Sequence, residues 1–114
     1  MPNFEVEYYR KPDGTYPVED FILEQPGKMK ARILQCIGLL EIKGNELREP
    51  YSKALKDGIF ELRIQQGSDI ARILYFFVVG RKVILTNGFI KKTQKAPNEQ
   101  IELAKKYKAD YENR

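Results

Sequence analysis

The chain has 114 residues, of which 42% are hydrophobic and 32% charged. This length suits one domain with a proper core and is too short for two, so we expect a single folded domain over residues 1–114. The formal net charge is +4, and nine lysines and arginines but three acidic residues lie between Lys53 and Lys95. This concentration of positive charge indicates a polyanionic partner.

The composition also excludes several kinds of site. A single cysteine, Cys36, rules out an internal disulfide and a cysteine-rich zinc site. The chain has no histidine, so catalysis would have to use Lys, Arg, Tyr or carboxylates, and we predict no metal and no cofactor. With no signal-peptide pattern and no apolar run of roughly 18 residues, we expect a cytoplasmic protein that has no membrane association.

A strand and two helices are predicted in the first half of the chain. Apolar residues alternate with acidic ones over residues 4–8, which is the pattern of a half-buried strand. Pro17 suits the first turn of a short helix. Apolar residues at intervals of three and four predict a longer helix from about Lys28 to Lys43, with Gly44 as its C-terminal cap. We expect these helices to form an αα-hairpin packed on a sheet.

Three strands and a helix are predicted in the second half. Short turns separate the strands, which are Ile59–Gln65, Ile70–Val79 and Val83–Ile90. Asn87 and Gly88 indicate a bulge or a close backbone approach within the last strand. Residues 45–58 are predicted to be irregular, and Pro97 begins a C-terminal helix. The order β-α-α-β-β-β-α predicts an α+β domain with a small antiparallel sheet.

Two arginines lie inside these strands, where a charge is costly unless something pairs with it. The alternation in the strand Ile59–Gln65 places Glu61 and Arg63 on the face away from the core. A short turn joins this strand to the next one, so Arg72 can lie across from Arg63. One interpretation is a salt bridge with Glu61 on a solvated face. The other is a pair of guanidinium forks that hold a phosphate in a bidentate manner.

Specific runs of residues carry a family resemblance. These are Leu62-Arg63, then Arg72-Ile73-Leu74-Tyr75-Phe76, then Phe89-Ile90-Lys91-Lys92-Thr93-Gln94-Lys95-Ala96-Pro97. With their spacing and the order of elements, the chain resembles toxins of the RelE/HigB type, particularly the phage-derived branch, over nearly its whole length. The resemblance implies an mRNA endoribonuclease, the toxin of a type II toxin–antitoxin pair that often acts on messages at the ribosome.

The resemblance also implies a partner and a set of site residues. The partner would be a HigA-like helix-turn-helix antitoxin, through which alone the toxin would reach operator DNA. Arg63 and Arg72 match the strand arginines of the family pattern, and Lys91 and Lys92 match its basic pair. Some members use a histidine at the site, so its absence here leaves the proton-transfer roles open.

Metal-free RNA cleavage requires a base for the 2′-OH, stabilisation of the phosphorane and an acid for the 5′-oxygen. We assign the phosphorane to Arg63 and Arg72 by preorganised electrostatics. Neighbouring cations lower the pKa of a lysine, so Lys56, Lys91 or Lys92 could serve as the base. The predicted catalytic residues are Arg63, Arg72, Lys91 and Lys92. The predicted RNA-binding residues are Lys53, Lys56, Glu61, Phe76, Phe89 and Lys95, with the two phenylalanines stacking on a base although such residues are more often core.

A second hypothesis is a non-catalytic module of the same fold, such as a gyrase-poisoning toxin of the ParE type or an RNA binder. Two surfaces are candidates for the antitoxin, because apolar helix faces recruit partners. They are the αα-hairpin with Phe21 and the C-terminal helix.

Overall fold

The computed structural model describes residues 3–91 and 96–114. Within them lie five strands, three α-helices and a short 3₁₀ turn at Gly44–Glu46. In chain order they are β1 (Glu5–Tyr8), α1 (Pro17–Leu23), α2 (Gly27–Lys43), β2 (Ser52–Ala54), β3 (Phe60–Gln66), β4 (Asp69–Val78), β5 (Lys82–Ile90) and α3 (Asn98–Glu112). The predicted α+β class is confirmed, and α1 begins at Pro17 as predicted.

The five strands form one sheet in the order β1-β5-β4-β3-β2. Neighbours from β2 to β5 are antiparallel, whereas β1 runs parallel to β5 at the far edge. The predicted antiparallel sheet is confirmed from β2 to β5, and the parallel pairing of β1 with β5 was not predicted. The physical reason is that the chain leaves β1 through both N-terminal helices and enters β5 only after the other strands, and parallel pairs need such a long crossover.

The segment predicted to be an irregular loop contains the strand β2. Its three residues pair with β3, and Lys53 lies directly across from Glu61. Three residues are too few for an alternation to be visible in the sequence, so only the pairing with β3 defines this strand. The observed order is therefore β-α-α-β-β-β-β-α, with one strand more than predicted.

Helices cover both faces of the sheet. Leu62 and Ile64 of β3 point into a core shared with α1 and α2. Ile59, at the start of the same alternation, lies in a second cluster with Ile101 and Ala104 of α3. Glu61 and Arg63 share that second face, so the alternation predicted from the sequence is confirmed. The face that carries the charges is thus partly roofed by α3.

Both of the features that Asn87-Gly88 predicted as alternatives are present at or beside this dipeptide. Tyr75 pairs with Leu85 and Leu74 with Asn87, which leaves Thr86 as the extra residue of a β-bulge. A Cβ atom on Gly88 would lie 2.5 Å from Cδ2 of Phe21. The ring of α1 therefore packs directly on the backbone of β5, which a larger residue than glycine would obstruct.

Two side chains, Asn87 beside the bulge and Tyr9 just after β1, hydrogen-bond to the two ends of α3. Near its start, Nδ2 of Asn87 donates to the carbonyl oxygen of Gln100 at 3.2 Å and to its Oε1 at 2.9 Å. Near its end, the hydroxyl of Tyr9 donates to Oδ2 of Asp110 at 2.6 Å. Burial and this hydrogen bond raise the pKa of Tyr9 to about 12. Held in this way, α3 leaves space between its N-terminal end and the β2–β4 side of the sheet.

Candidate functional site

A pocket with a volume of about 350 Å³ occupies the space between the start of α3 and the sheet. We name it the basic pocket, because four of its lining side chains are cationic and one is acidic. Its lining residues are Lys53, Leu55, Lys56, Glu61, Arg63, Arg72, Ala96, Asn98 and Ile101. The structure therefore brings together five of the ten side chains that the sequence predicted for the site.

Arg63 and Arg72 are direct cross-strand neighbours in the pairing of β3 with β4, as predicted. Like charges in this position repel one another, so the arrangement needs a counterion. The carboxylate of Glu61 supplies it. Its Oε2 accepts a hydrogen bond from Nη1 of Arg72 at 2.6 Å, and its Oε1 lies 3.6 Å from Nε of Arg63. One carboxylate thus orients two guanidinium groups.

The three side chains differ sharply in exposure. Those of Glu61 and Arg72 are 1% and 3% exposed, whereas that of Arg63 is 28% exposed. The salt bridge with Glu61 exists, but the solvated face that we expected for it is wrong, because α3 and the neighbouring strands cover it. Since the same residues line the basic pocket, the ion pair and a phosphate-binding role do not exclude each other.

Lys91 adds a further cation beside these arginines. Its backbone N–H donates to the carbonyl oxygen of Ile70 at 2.7 Å, which continues the β5–β4 pairing beyond the end of the strand. Partial burial lowers the pKa of the Lys91 ammonium, and the charges of Arg72 and Arg63 lower it further against the opposing effect of Glu61. The direction of this pKa shift is the one expected for a lysine that lies among other cations.

The two other lysines lie at the rim of the basic pocket. Lys53 is exposed on β2 opposite Glu61, a position that the sequence could not give without that strand. Lys56 is also exposed, and its Nζ lies 3.9 Å from Oε2 of Glu102 on α3. Both lysines line the pocket, so both can attract a polyanion toward the arginines.

The two predicted stacking rings have different surroundings. Phe76 is 0% exposed and packs edge-to-face on Tyr111, with ring centroids 5.7 Å apart. Its predicted role in stacking on a base is therefore wrong, because β4 is central and α3 covers this face. Phe89 is half-buried and lies directly across from Arg72. Lys92 and Lys95 lie outside the described residues.

Four lining residues were not predicted as site residues, and Asn98 is the polar one among them. Asn98 is the first residue of α3 and presents an exposed amide at the pocket. Its place directly after Pro97, the predicted helix start, was the signal that could have drawn attention to it.

In residues 3–91 and 96–114, no group of three or more His, Cys, Asp or Glu side chains is placed to hold a metal ion. No helix in the same ranges is long and apolar enough to cross a membrane.

The mostly antiparallel sheet, the paired N-terminal helices and the C-terminal helix over a cationic face define an α+β protein of RelE-like architecture. The chain belongs to the family described as phage-derived protein Gp49-like (DUF891), whose family model matches residues 20–109. This is a toxin–antitoxin-associated family of RelE-like proteins. None of the curated proteins matches the chain. Membership is consistent with a toxin and suggests an antitoxin as its partner.

Proposed function

We propose that this protein is a HigB-type toxin, a metal-independent endoribonuclease that cleaves translated messages in the cytoplasm and is neutralised by a HigA-like helix-turn-helix antitoxin. The observation that carries the proposal is the convergence of Arg63, Arg72 and Lys91 on one face of the sheet, beside a pocket of about 350 Å³. Membership of a toxin–antitoxin-associated family supports it.

The two arginines suit different parts of phosphate recognition. Arg63 is partly exposed, so its guanidinium can meet an incoming phosphate directly. Arg72 is buried against Glu61 at 2.6 Å and is held in place before substrate arrives. Donors fixed in this way stabilise the charge of a phosphorane without reorganising during the reaction. Planar guanidinium groups also match two phosphate oxygens at once.

The reaction needs a base for the 2′-OH. The base removes this proton, O2′ forms a bond to phosphorus, and the P–O5′ bond breaks as O5′ takes a proton. The products are a 2′,3′-cyclic phosphate and a 5′-OH. Both oxygens of Glu61 face arginines, whereas Lys91 combines partial exposure with a lowered pKa. We therefore assign the base to Lys91 and a positioning role to Glu61.

This assignment predicts a specific pH profile. The neutral amine of Lys91 is the reactive form, so the cleavage rate should rise with pH. It should level off at a pH below the ordinary lysine pKa of about 10.4, because the pKa of Lys91 is lowered. Lys91→Arg should remove the levelling and lower the rate by roughly 10²–10⁴-fold, since arginine stays protonated. Lys56→Arg, at the pocket rim, is the control and should keep the wild-type profile. A Lys91→Arg profile that levels off like the wild type would assign the base elsewhere.

The function itself can be tested in cells. Induced expression should stop growth and create new message ends within coding regions, seen by primer extension, and Arg63→Ala should produce neither effect. Growth arrest with intact messages and altered DNA supercoiling would instead support a gyrase-poisoning module.

The αα-hairpin is the surface that we propose for the antitoxin. Its helices α1 and α2 carry the exposed apolar side chains of Leu23 and Leu34, which support this choice.

A further inference from the structure

A second depression adjoins the basic pocket at Arg63. It has a volume of about 300 Å³ and lies between α2, the segment before β2 and the end of β3. We name it the side groove and define it by Arg32, Tyr51, Arg63 and Gln65, which are among its lining residues. Because Arg63 lines both depressions, a chain bound at the basic pocket can continue into the side groove without leaving the surface.

Tyr51 presents an aromatic ring at this groove. Tyr51 is 42% exposed, so part of its ring is accessible to solvent. Its backbone is fixed beside the arginine, because the carbonyl oxygen of Tyr51 accepts a hydrogen bond from the N–H of Arg63 at 2.8 Å. A solvent-facing ring next to a cation is an arrangement on which the bases of single-stranded nucleic acids stack.

Arg32 provides a second cation on the other side of the groove. Its Nε donates to the carbonyl oxygen of Gln65 at 3.3 Å, and its Nη1 donates to Oε1 of Gln35 at 3.1 Å. These bonds hold the exposed guanidinium of α2 against the end of β3. Beyond it lies a further depression that includes Lys28. Among the described residues, none that line the groove or this depression is acidic.

We propose that the side groove binds the nucleotide next to the scissile phosphate of a single-stranded RNA, with its base stacked on Tyr51 and its phosphate held by Arg32. This inference rests on the proposed function and adds a substrate subsite to it. The groove lacks acidic lining and joins the basic pocket through a shared arginine, so it complements a continuous polyanion. Single-stranded RNA also displays the unpaired bases that an exposed ring can stack on.

The test compares cleavage of oligoribonucleotides that share one cleavage site and are shortened by one nucleotide at a time from either end. Tyr51→Ala and Arg32→Gln should each raise KM by roughly 5- to 100-fold on the long substrate and leave kcat within about 3-fold. Tyr51→Phe should behave as the wild type. Removing the nucleotide that occupies the groove should erase the difference between Tyr51→Ala and wild type.

Matched controls come from other surfaces of the chain. Tyr16→Ala removes a ring of similar exposure, 37%, at the start of α1, and Arg48→Gln removes an exposed guanidinium that does not line the side groove. Neither should change KM. If the wild type cleaves RNA while Tyr51→Ala and Arg32→Gln keep its KM on every length, the side-groove inference is overturned and the proposed function stands.

A binding measurement separates the two proposals if no cleavage is seen. The probe is an RNA oligonucleotide that carries a 2′-deoxy nucleotide at the scissile position and therefore cannot be cleaved there. Its binding is measured by fluorescence anisotropy. The same two substitutions should weaken its Kd by roughly 5- to 100-fold. Equal Kd values for wild type and both variants would overturn the side-groove inference by themselves.

Discussion

Replacing Arg63 with alanine should lower kcat/KM for RNA cleavage by on the order of 10²–10³, because it removes a charged donor aimed at the phosphorane. The free energy of unfolding should change by no more than about 1 kcal/mol. The reason is that Arg63 is 28% exposed and its Nε lies 3.6 Å from Glu61, a long and partly hydrated ion pair. Cleavage of a labelled message and urea denaturation of the same preparations measure the two effects.

Arg48→Ala is the matched control for charge. Arg48 is exposed, and its Nη1 donates to the backbone carbonyl oxygen of Asn45 at 2.8 Å. It lines a separate depression on the other face of the sheet, beside Phe60 and Tyr75. Its loss removes one positive charge without altering the basic pocket, so cleavage should stay within about 3-fold of wild type. Equal losses in both variants would mean that net charge, not the position of Arg63, determines the rate.

Breaking the ion pair between Glu61 and Arg72 should have the largest effect on stability. The two side chains are 1% and 3% exposed and meet at 2.6 Å. Glu61→Ala or Arg72→Ala removes one partner of a buried ion pair, and such a loss typically costs about 3–5 kcal/mol. Domains of this size have about 5–15 kcal/mol in total, so either variant should be close to unfolding. Urea denaturation measures the loss.

A double replacement separates this structural role from catalysis. Glu61→Leu together with Arg72→Met exchanges the pair for apolar side chains beside Leu74 and Ile101 of the second core cluster. Such exchanges are often neutral or stabilising, so most of the lost stability should return. Cleavage should still be lost, because the pocket keeps neither the buried guanidinium nor its orienting carboxylate. A stable double variant that cleaves at the wild-type rate would remove Arg72 from the mechanism.

Local pattern was sufficient for much of the fold. The alternation around Glu61 and Arg63 gave both the strand and the face of each side chain, because one buried face imposes a period of two. Asn87-Gly88 similarly indicated a bulge or a close backbone approach, and the structure has both, the approach being that of Phe21. The parallel pairing of β1 with β5 could not be predicted in this way, since it joins residues about eighty positions apart and leaves no local periodicity.

In the candidate site too, some features follow from local sequence pattern and others depend on tertiary pairing. Arg63 facing Arg72 follows from a short hairpin turn, which sets the register of its strands. Lys53 reaches the pocket through the short strand β2, which tertiary pairing alone defines. Burial of Phe76 was the more common expectation for such a ring, but the sequence does not say which element covers it. It is the docking of α3 that buries it.

The most direct test of the account is to incubate the purified protein with a defined message, either free in the presence of EDTA or bound to ribosomes in Mg²⁺ buffer, and to identify the new RNA ends by mass spectrometry. We expect 2′,3′-cyclic phosphate and 5′-OH ends with the wild type and intact RNA with Arg63→Ala. Messages that stay intact under both conditions, or cleavage that Arg63→Ala retains in full, would contradict the central claim that the basic pocket binds and cleaves RNA.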